Sequence, residues 1–238
     1  MATQSPQSRT TLGFDWLAVA LVLGGILVLY YLVPMVSLFL SASPGEVFAR
    51  IDNPVVADAA ITSLKSATIS TVVATVFGVP LAYWLSRAET RFSSVVLGVV
   101  VLPLVLPPTV AGIVLLTVFQ PSAPLGQVLV AFGLEPTRSL TGIVLAQTFV
   151  ASPFVVVTSK AAFDGVPRKL EHASRSLGKG LLMTFFRVTL PLAWPGIVAG
   201  ITLTFARAMG EFGATTIMAY FPLTMPVQIY RAFVSFGL

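Results

Sequence analysis

Apolar runs of about 20 residues or more, nearly free of charge, dominate this chain. A run of that length crosses a bilayer core about 30 Å thick as a helix, because a helix satisfies its own backbone N–H and C=O groups where no water can. Five such runs lie at about 16–40, 60–86, 92–118, 139–163 and 192–219 of the 238 residues. Charged residues make up only 10% of the chain, against roughly 25% in a soluble domain. The mean hydropathy is +0.93. A membrane barrel would instead alternate in segments of about ten residues. The pattern therefore predicts an all-α, polytopic membrane protein.

The net charge of +5 is not a nucleic-acid signal, because the basic residues sit in short loops between apolar runs, where orientation is set. With the N-terminus inside, Arg9, Arg87, Arg91, Lys160, Arg168, Lys169, Arg175, Lys179 and Arg187 are inner, and only Arg50, Arg138 and Arg231 are outer. Trp16, Tyr30, Tyr31, Tyr83, Trp84, Trp194 and Tyr220 lie near the ends of the runs, at the depth amphipathic rings favour. Residues 1–15 read as a cytoplasmic tail and 16–238 as one transmembrane domain. Trp16–Leu40 is too long for a signal-peptide core and is followed by no small-residue cleavage site. Cysteine is absent, which excludes disulfides and thiolate metal sites. Residues 119–138 carry Pro121, Pro124, Gly126 and Gly133 and suggest an outer re-entrant or interfacial turn, whereas 164–191 form the longest and most basic inner loop. Five spans would leave the C-terminus outside, so a sixth helix is expected beyond residue 238.

No phosphate loop of the form GxxxxGK[ST] is present; Gly178-Lys179-Gly180 lacks the spacing. His172 is the single histidine, with no second ligand beside it, and no Ser or Thr has a base and orienting group in pattern. Neither a catalytic nor a metal site is predicted. The inner loop is more informative. Glu171-His172-Ala173-Ser174-Arg175-Ser176-Leu177-Gly178 is followed after nine residues by Val188-Thr189-Leu190-Pro191. This resembles the EAA loop of ABC importer permeases, with His172, Ala173 and Ser174 in the Glu-Ala-Ala places, then Gly178, Leu190 and Pro191. Glu171 stands one position early. Small residues let a short helix seat closely in another protein, Gly178 permits the turn that ends it, and Pro191 suits the start of a helix. The resemblance implies a docking site for a separate ATPase.

A second resemblance narrows the cargo. Phe205-Ala206-Arg207-Ala208-Met209-Gly210-Glu211-Phe212-Gly213-Ala214-Thr215 is similar to a signature of molybdate, tungstate and sulfate permeases. Leu102-Pro103-Leu104-Val105-Leu106-Pro107-Pro108-Thr109-Val110-Ala111-Gly112 resembles their proline-rich motif, and Ala219-Tyr220-Phe221-Pro222 with Ile229-Tyr230 resembles the tungstate/molybdate branch.

The residues themselves point the same way in part. Arg207 lies 12 residues beyond Pro195, about 18 Å along a helix and well inside the core. A charge there needs a partner or a wet cavity, and Glu211, one turn on, supplies one. The pair is either structural or part of an anion path. Pro107 and Pro108 remove two backbone donors and predict a bend in the third span, which is tolerated at depth only against protein or a wet cavity. Thr109 then offers a hydroxyl to an oxyanion, or the prolines make only a packing kink. Ser152-Pro153 predicts a similar bend in the fourth span. Lys65 is close enough to the outer face to snorkel.

Together the resemblances imply an ABC importer type I permease fold in the cell inner (plasma) membrane. They imply a homodimer in membrane lipid with two ATPase subunits and an extracytoplasmic binding protein. ATP and Mg would sit on the ATPases, and this chain would bind no cofactor. Molybdate or tungstate is the expected cargo; sulfate, thiosulfate or a polyamine is the alternative. A membrane enzyme would need more convergent ionisable groups than Lys65, Arg207 and Glu211, and a mere scaffold would not need a proline-broken span.

Overall fold

The computed structural model describes residues 12–41, 45 and 53–236; most of the proposed tail, with Arg9, and also Arg50 and Gly237-Leu238, lie outside them. The chain falls into two compact units, 1–53 and 54–238. The first holds α1, Leu12–Ser41, a helix of 30 residues long enough to cross a bilayer.

The second unit is built on α2 (Pro54–Arg87), α3 (Arg91–Val105), α4 (Pro108–Phe119), α5 (Pro124–Ala131), α6 (Leu140–Asp164), α7 (Arg168–Ser176), α8 (Leu181–Thr184), a π-helical turn (Phe185–Thr189), α9 (Leu190–Met209), α10 (Gly213–Met218) and α11 (Met225–Phe236). No strand occurs among the described residues. The buried face of α2 is small and weakly polar: Ala59, Ser63, Ser66, Ala67, Ser70, Thr71, Ala74, Gly78 and Ala82 recur every three or four residues. Large apolar side chains such as Phe77, Val99 and Val105 point outward, 73%, 60% and 77% exposed. In lipid this arrangement is favourable, because close helix approach rather than greasiness drives association.

Three contacts set the register of α2 on α6. Ser70 Oγ donates to Gln147 Oε1 at 3.0 Å, a Cβ added at Gly78 would lie 3.0 Å from Val155 and Val156, and Arg87 Nη1 donates to the Phe163 carbonyl at 3.0 Å. The offset is 76 to 78 residues in all three. The two helices therefore run parallel and finish side by side. Against α6, α9 runs the other way: Gly196 meets Ala162, and Gly200, four residues on, meets Thr158.

Parallel neighbours that both cross a membrane need one return crossing between them. The segment offered for it is not the single straight helix expected at 92–118. It is α3 and α4, bent by 116° at Leu106-Pro107, so the described residues hold four spanning helices plus this broken pair. Leu106 (ψ 132°) and Pro107 (ψ 133°) are extended, as residues before a proline tend to be, and Pro108 restarts the helix where its missing N–H costs nothing. The last span also departs from 192–219. Helix begins at Leu181 and runs through the π-turn to Met209, then breaks at Gly210–Phe212 before α10. The Leu190 N–H reaches back to the Phe185 carbonyl, a widened turn that accommodates Pro191 in mid-helix. Residues 119–138 hold the eight-residue α5, and α6 continues through Pro153.

Candidate functional site

The loop expected at 164–191 folds as α7, a turn, α8 and the π-turn. Its first turn is made by Gly178 at φ +80°, the left-handed region where glycine avoids a Cβ clash. The Lys179 N–H bonds the Ser174 carbonyl and the Gly178 N–H bonds the Arg175 carbonyl, the pair of bonds that defines a Schellman cap. The chain then folds back, and Ser174 Oγ lies 3.0 Å from Thr184 Oγ1.

Glu171 and His172, adjacent in sequence, have opposite fates. Glu171 faces inward: Arg87 Nη2 sits 2.6 Å from its Oε1, Arg87 Nε reaches both oxygens at 3.2 Å, and Thr189 Oγ1 donates at 2.8 Å. Burial alone would raise the Glu171 pKa, but the hydrogen bonds from Arg87 and Thr189 and the charges of Arg87 and Arg168 hold it below the ordinary 4.5. Arg168 adds a more exposed pair with Glu89 at 2.6 Å. Beneath Arg87 lie Tyr83, Phe163 and Phe185, one ring each from α2, α6 and the π-turn, with centroids 4.8 to 6.1 Å apart. The guanidinium sits 5.7 Å from the Tyr83 centroid, within cation–π range.

His172 and Ala173 are exposed, as are Leu177, Leu181 and Leu182 at 81%, 65% and 76%. This end of the unit thus presents an apolar, basic-flanked surface whose inner side is clamped. Leu190 and Pro191 are not on that surface; they belong to the helix behind it.

The other expected group lies along the spans. Arg207 Nη1 sits 2.6 Å from Glu211 Oε2, the guanidinium side chain 29% exposed and the carboxylate 1%. Glu211 is not on the same helix as Arg207, because α9 has ended at Met209 and Gly210 caps it. Its second oxygen accepts the Ala214 N–H at 2.7 Å, at the start of α10. Glu211 therefore joins the broken halves. Alongside, Gly213 packs so closely on the other break that an added Cβ would lie 2.8 Å from Pro108 Cβ and 3.1 Å from Thr109 N. Gly112 likewise touches Ala214 and Ile217 of α10, with no room for a Cβ. The structure thus brings Pro108 and Thr109 next to the Arg207–Glu211 segment. Pro107 and Thr109 are exposed in the single chain. Ser152 lies elsewhere, in a cavity of about 270 Å³ with Thr148, Pro103 and Phe77.

Three contributors were not singled out by the sequence. Arg87 reads from sequence only as an orientation charge, Thr189 as filler before Leu190-Pro191, and Gln147 as one polar residue in an apolar run. Gln147 is 1% exposed and bonded to Ser70. A lone glutamine at mid-span was the one available hint.

Residues 74–234 match the family model of the binding-protein-dependent transport system inner membrane component. A probable molybdenum ABC transporter permease protein of Haloferax volcanii is 55% identical over 94% of this chain and 81% of its own length. A molybdate/tungstate transport system permease protein of Pyrococcus abyssi is 34% identical over 91% and 83%, respectively. A molybdenum transport system permease protein of Mycobacterium bovis is 36% identical over 85% and 78%. In fold, the chain is similar to a chain of an amino acid ABC transporter crystal structure, with a TM-score of 0.53 at 18% identity over 77% of this chain and 82% of that one.

Proposed function

The chain belongs to the family of binding-protein-dependent transport system inner membrane components, and we propose that it is the membrane subunit of an ATP-driven importer of molybdate or tungstate. The observation that carries this reading is α7: a short helix ended by the Gly178 turn, with His172, Ala173, Leu177 and Leu181 left open to a partner. Two copies of the chain form the path, two ATPase subunits dock on the 164–191 loops, and an extracytoplasmic binding protein delivers the anion. The N-terminus is cytoplasmic, as the basic loops require. ATP and Mg act on the ATPases, and this chain holds no cofactor. Closure of the ATPases moves the docked helices, and the path alternates between its two openings. Pro107, Pro108, Thr109 and Arg207 border that path where the two broken helices meet, with Glu211 buried behind Arg207 as its counter-charge, while Ser152 lies in a separate cavity. The names of the relatives favour molybdate or tungstate over sulfate, thiosulfate or a polyamine.

The test is uptake by the reconstituted complex in proteoliposomes. ATP-dependent accumulation of labelled molybdate or tungstate, exceeding that of sulfate, is expected. Uptake that proceeds without the ATPase, or that prefers sulfate, refutes the reading.

A further inference from the structure

Four elements meet at one point where α2 and α6 finish. Arg87, the last residue of α2, donates to the Phe163 carbonyl near the end of α6 and to Glu171 of α7. Glu171 in turn accepts from Thr189, the last residue of the π-turn leading into α9. The aromatic triad of Tyr83, Phe163 and Phe185 fills the space beneath with one ring from each of three elements. Side-chain exposures of 16% and 14% for Arg87 and Glu171 keep water largely out of the pair. The exposed residues of α7 and its turn, His172, Ala173 and Leu177, take no part.

We infer that Arg87, Glu171 and Thr189 form the joint through which motion of α7 reaches the spans. This rests on the docking role proposed above and adds the residues that transmit it. A helix of nine residues has little intrinsic stability and cannot push a membrane span by its own backbone. Transmission needs a stiff link, and a charged pair bonded through both carboxylate oxygens is stiff and directional. The link reaches α2 and α6 through Arg87, and α9 through Thr189. The π-turn lies on this route, and such widened turns are points of local compliance at functional sites. These are positioning residues: none lies on the exposed face of α7.

The test separates docking from transmission by measuring, in the reconstituted complex, both co-purification of the ATPase and the amount of labelled molybdate taken up per ATP hydrolysed. Arg87→Met is expected to retain the ATPase but lower that ratio by about tenfold, the scale of one charge-assisted hydrogen bond. Thr189→Val, which keeps the charge pair, is expected to lower it by about fivefold, the scale of a single hydrogen bond at about 1 kcal/mol. The exchange of Arg87→Glu with Glu171→Arg should recover part of the loss seen with Arg87→Glu alone. An unchanged ratio in Arg87→Met or, should that variant not fold, in Thr189→Val overturns the inference. Loss of the ATPase from a folded Arg87→Met permease also overturns it, since the cluster would then serve docking. Failure of the wild-type chain to hold any ATPase would instead refute the functional reading itself.

Discussion

Removing the guanidinium of Arg207 should harm the protein more than removing the charge of both Arg207 and Glu211. The carboxylate of Glu211 is 1% exposed and has two partners, Arg207 Nη1 at 2.6 Å and the Ala214 N–H at 2.7 Å. Arg207→Met leaves a buried anion with the single N–H. Breaking a buried pair in this way costs about 3–5 kcal/mol. The 29% exposure of Arg207 lets solvent share its charge and places the cost at the lower end, about 3 kcal/mol. Adding Glu211→Met removes the stranded charge but also the acceptor for Ala214, a loss of about 1 kcal/mol, the usual worth of a helix cap. Adding Glu211→Gln keeps a carbonyl oxygen for that N–H. The expected order of stability is wild type, Arg207→Met/Glu211→Gln, Arg207→Met/Glu211→Met, then Arg207→Met. At about 2–4 °C per kcal/mol for a chain of this size, the single variant should unfold roughly 6–12 °C below wild type in detergent, and the Gln double variant within half of that. A Gln double variant no more stable than Arg207→Met would refute the pairing as the source of stability. Uptake measured on the same proteins asks a separate question. Restored folding without restored uptake means that Arg207 also serves the anion.

Gly178→Leu forces a branched side chain into φ +80° and should cost at least about 1 kcal/mol locally, releasing the ATPase in a pull-down while the permease remains folded; Gly178→Asn should bind nearly as wild type. Gly200→Val places its Cβ 2.0 Å from Thr158 Oγ1, separating α9 from α6, and should abolish a monodisperse elution profile that Gly200→Val with Thr158→Gly partly restores. Glu171 has a pKa held below 4.5 in the folded protein, so its clamp contributes fully above that value and is lost as pH falls through the depressed pKa. The protection factors of the amides in 168–176, measured against the intrinsic exchange rate at each pH, should therefore be unchanged between pH 8 and 6, where both states keep the carboxylate ionised, and should fall only once the pH drops below 4.5.

Much of the fold was legible in the sequence because membrane insertion is decided by local composition. A run of about 20 apolar residues has essentially one way to satisfy its backbone in lipid, so the helices at 16–40, 60–86 and 139–163 could be read directly. Pro107-Pro108 likewise announces a break, since the missing N–H groups and ring clashes act within one turn. The glycine turn at Gly178 is equally local, a matter of one φ angle. Hydropathy could not show the bend of 116°, because two half-helices and one straight helix bury the same residues in lipid. Nor could it show that Glu211 leaves the helix to join α10, since i,i+4 spacing is the same whether or not the helix continues. Arg87 and Glu171 stand 84 residues apart, and Glu171 and Thr189 18 apart. They meet only because the small-residue face of α2 packs in parallel on α6, with a constant offset that carries both helix ends to one place. The length and composition of apolar runs determine which residues enter the membrane; close packing of small side chains, a long-range choice among helix pairs, decides which polar residues then meet.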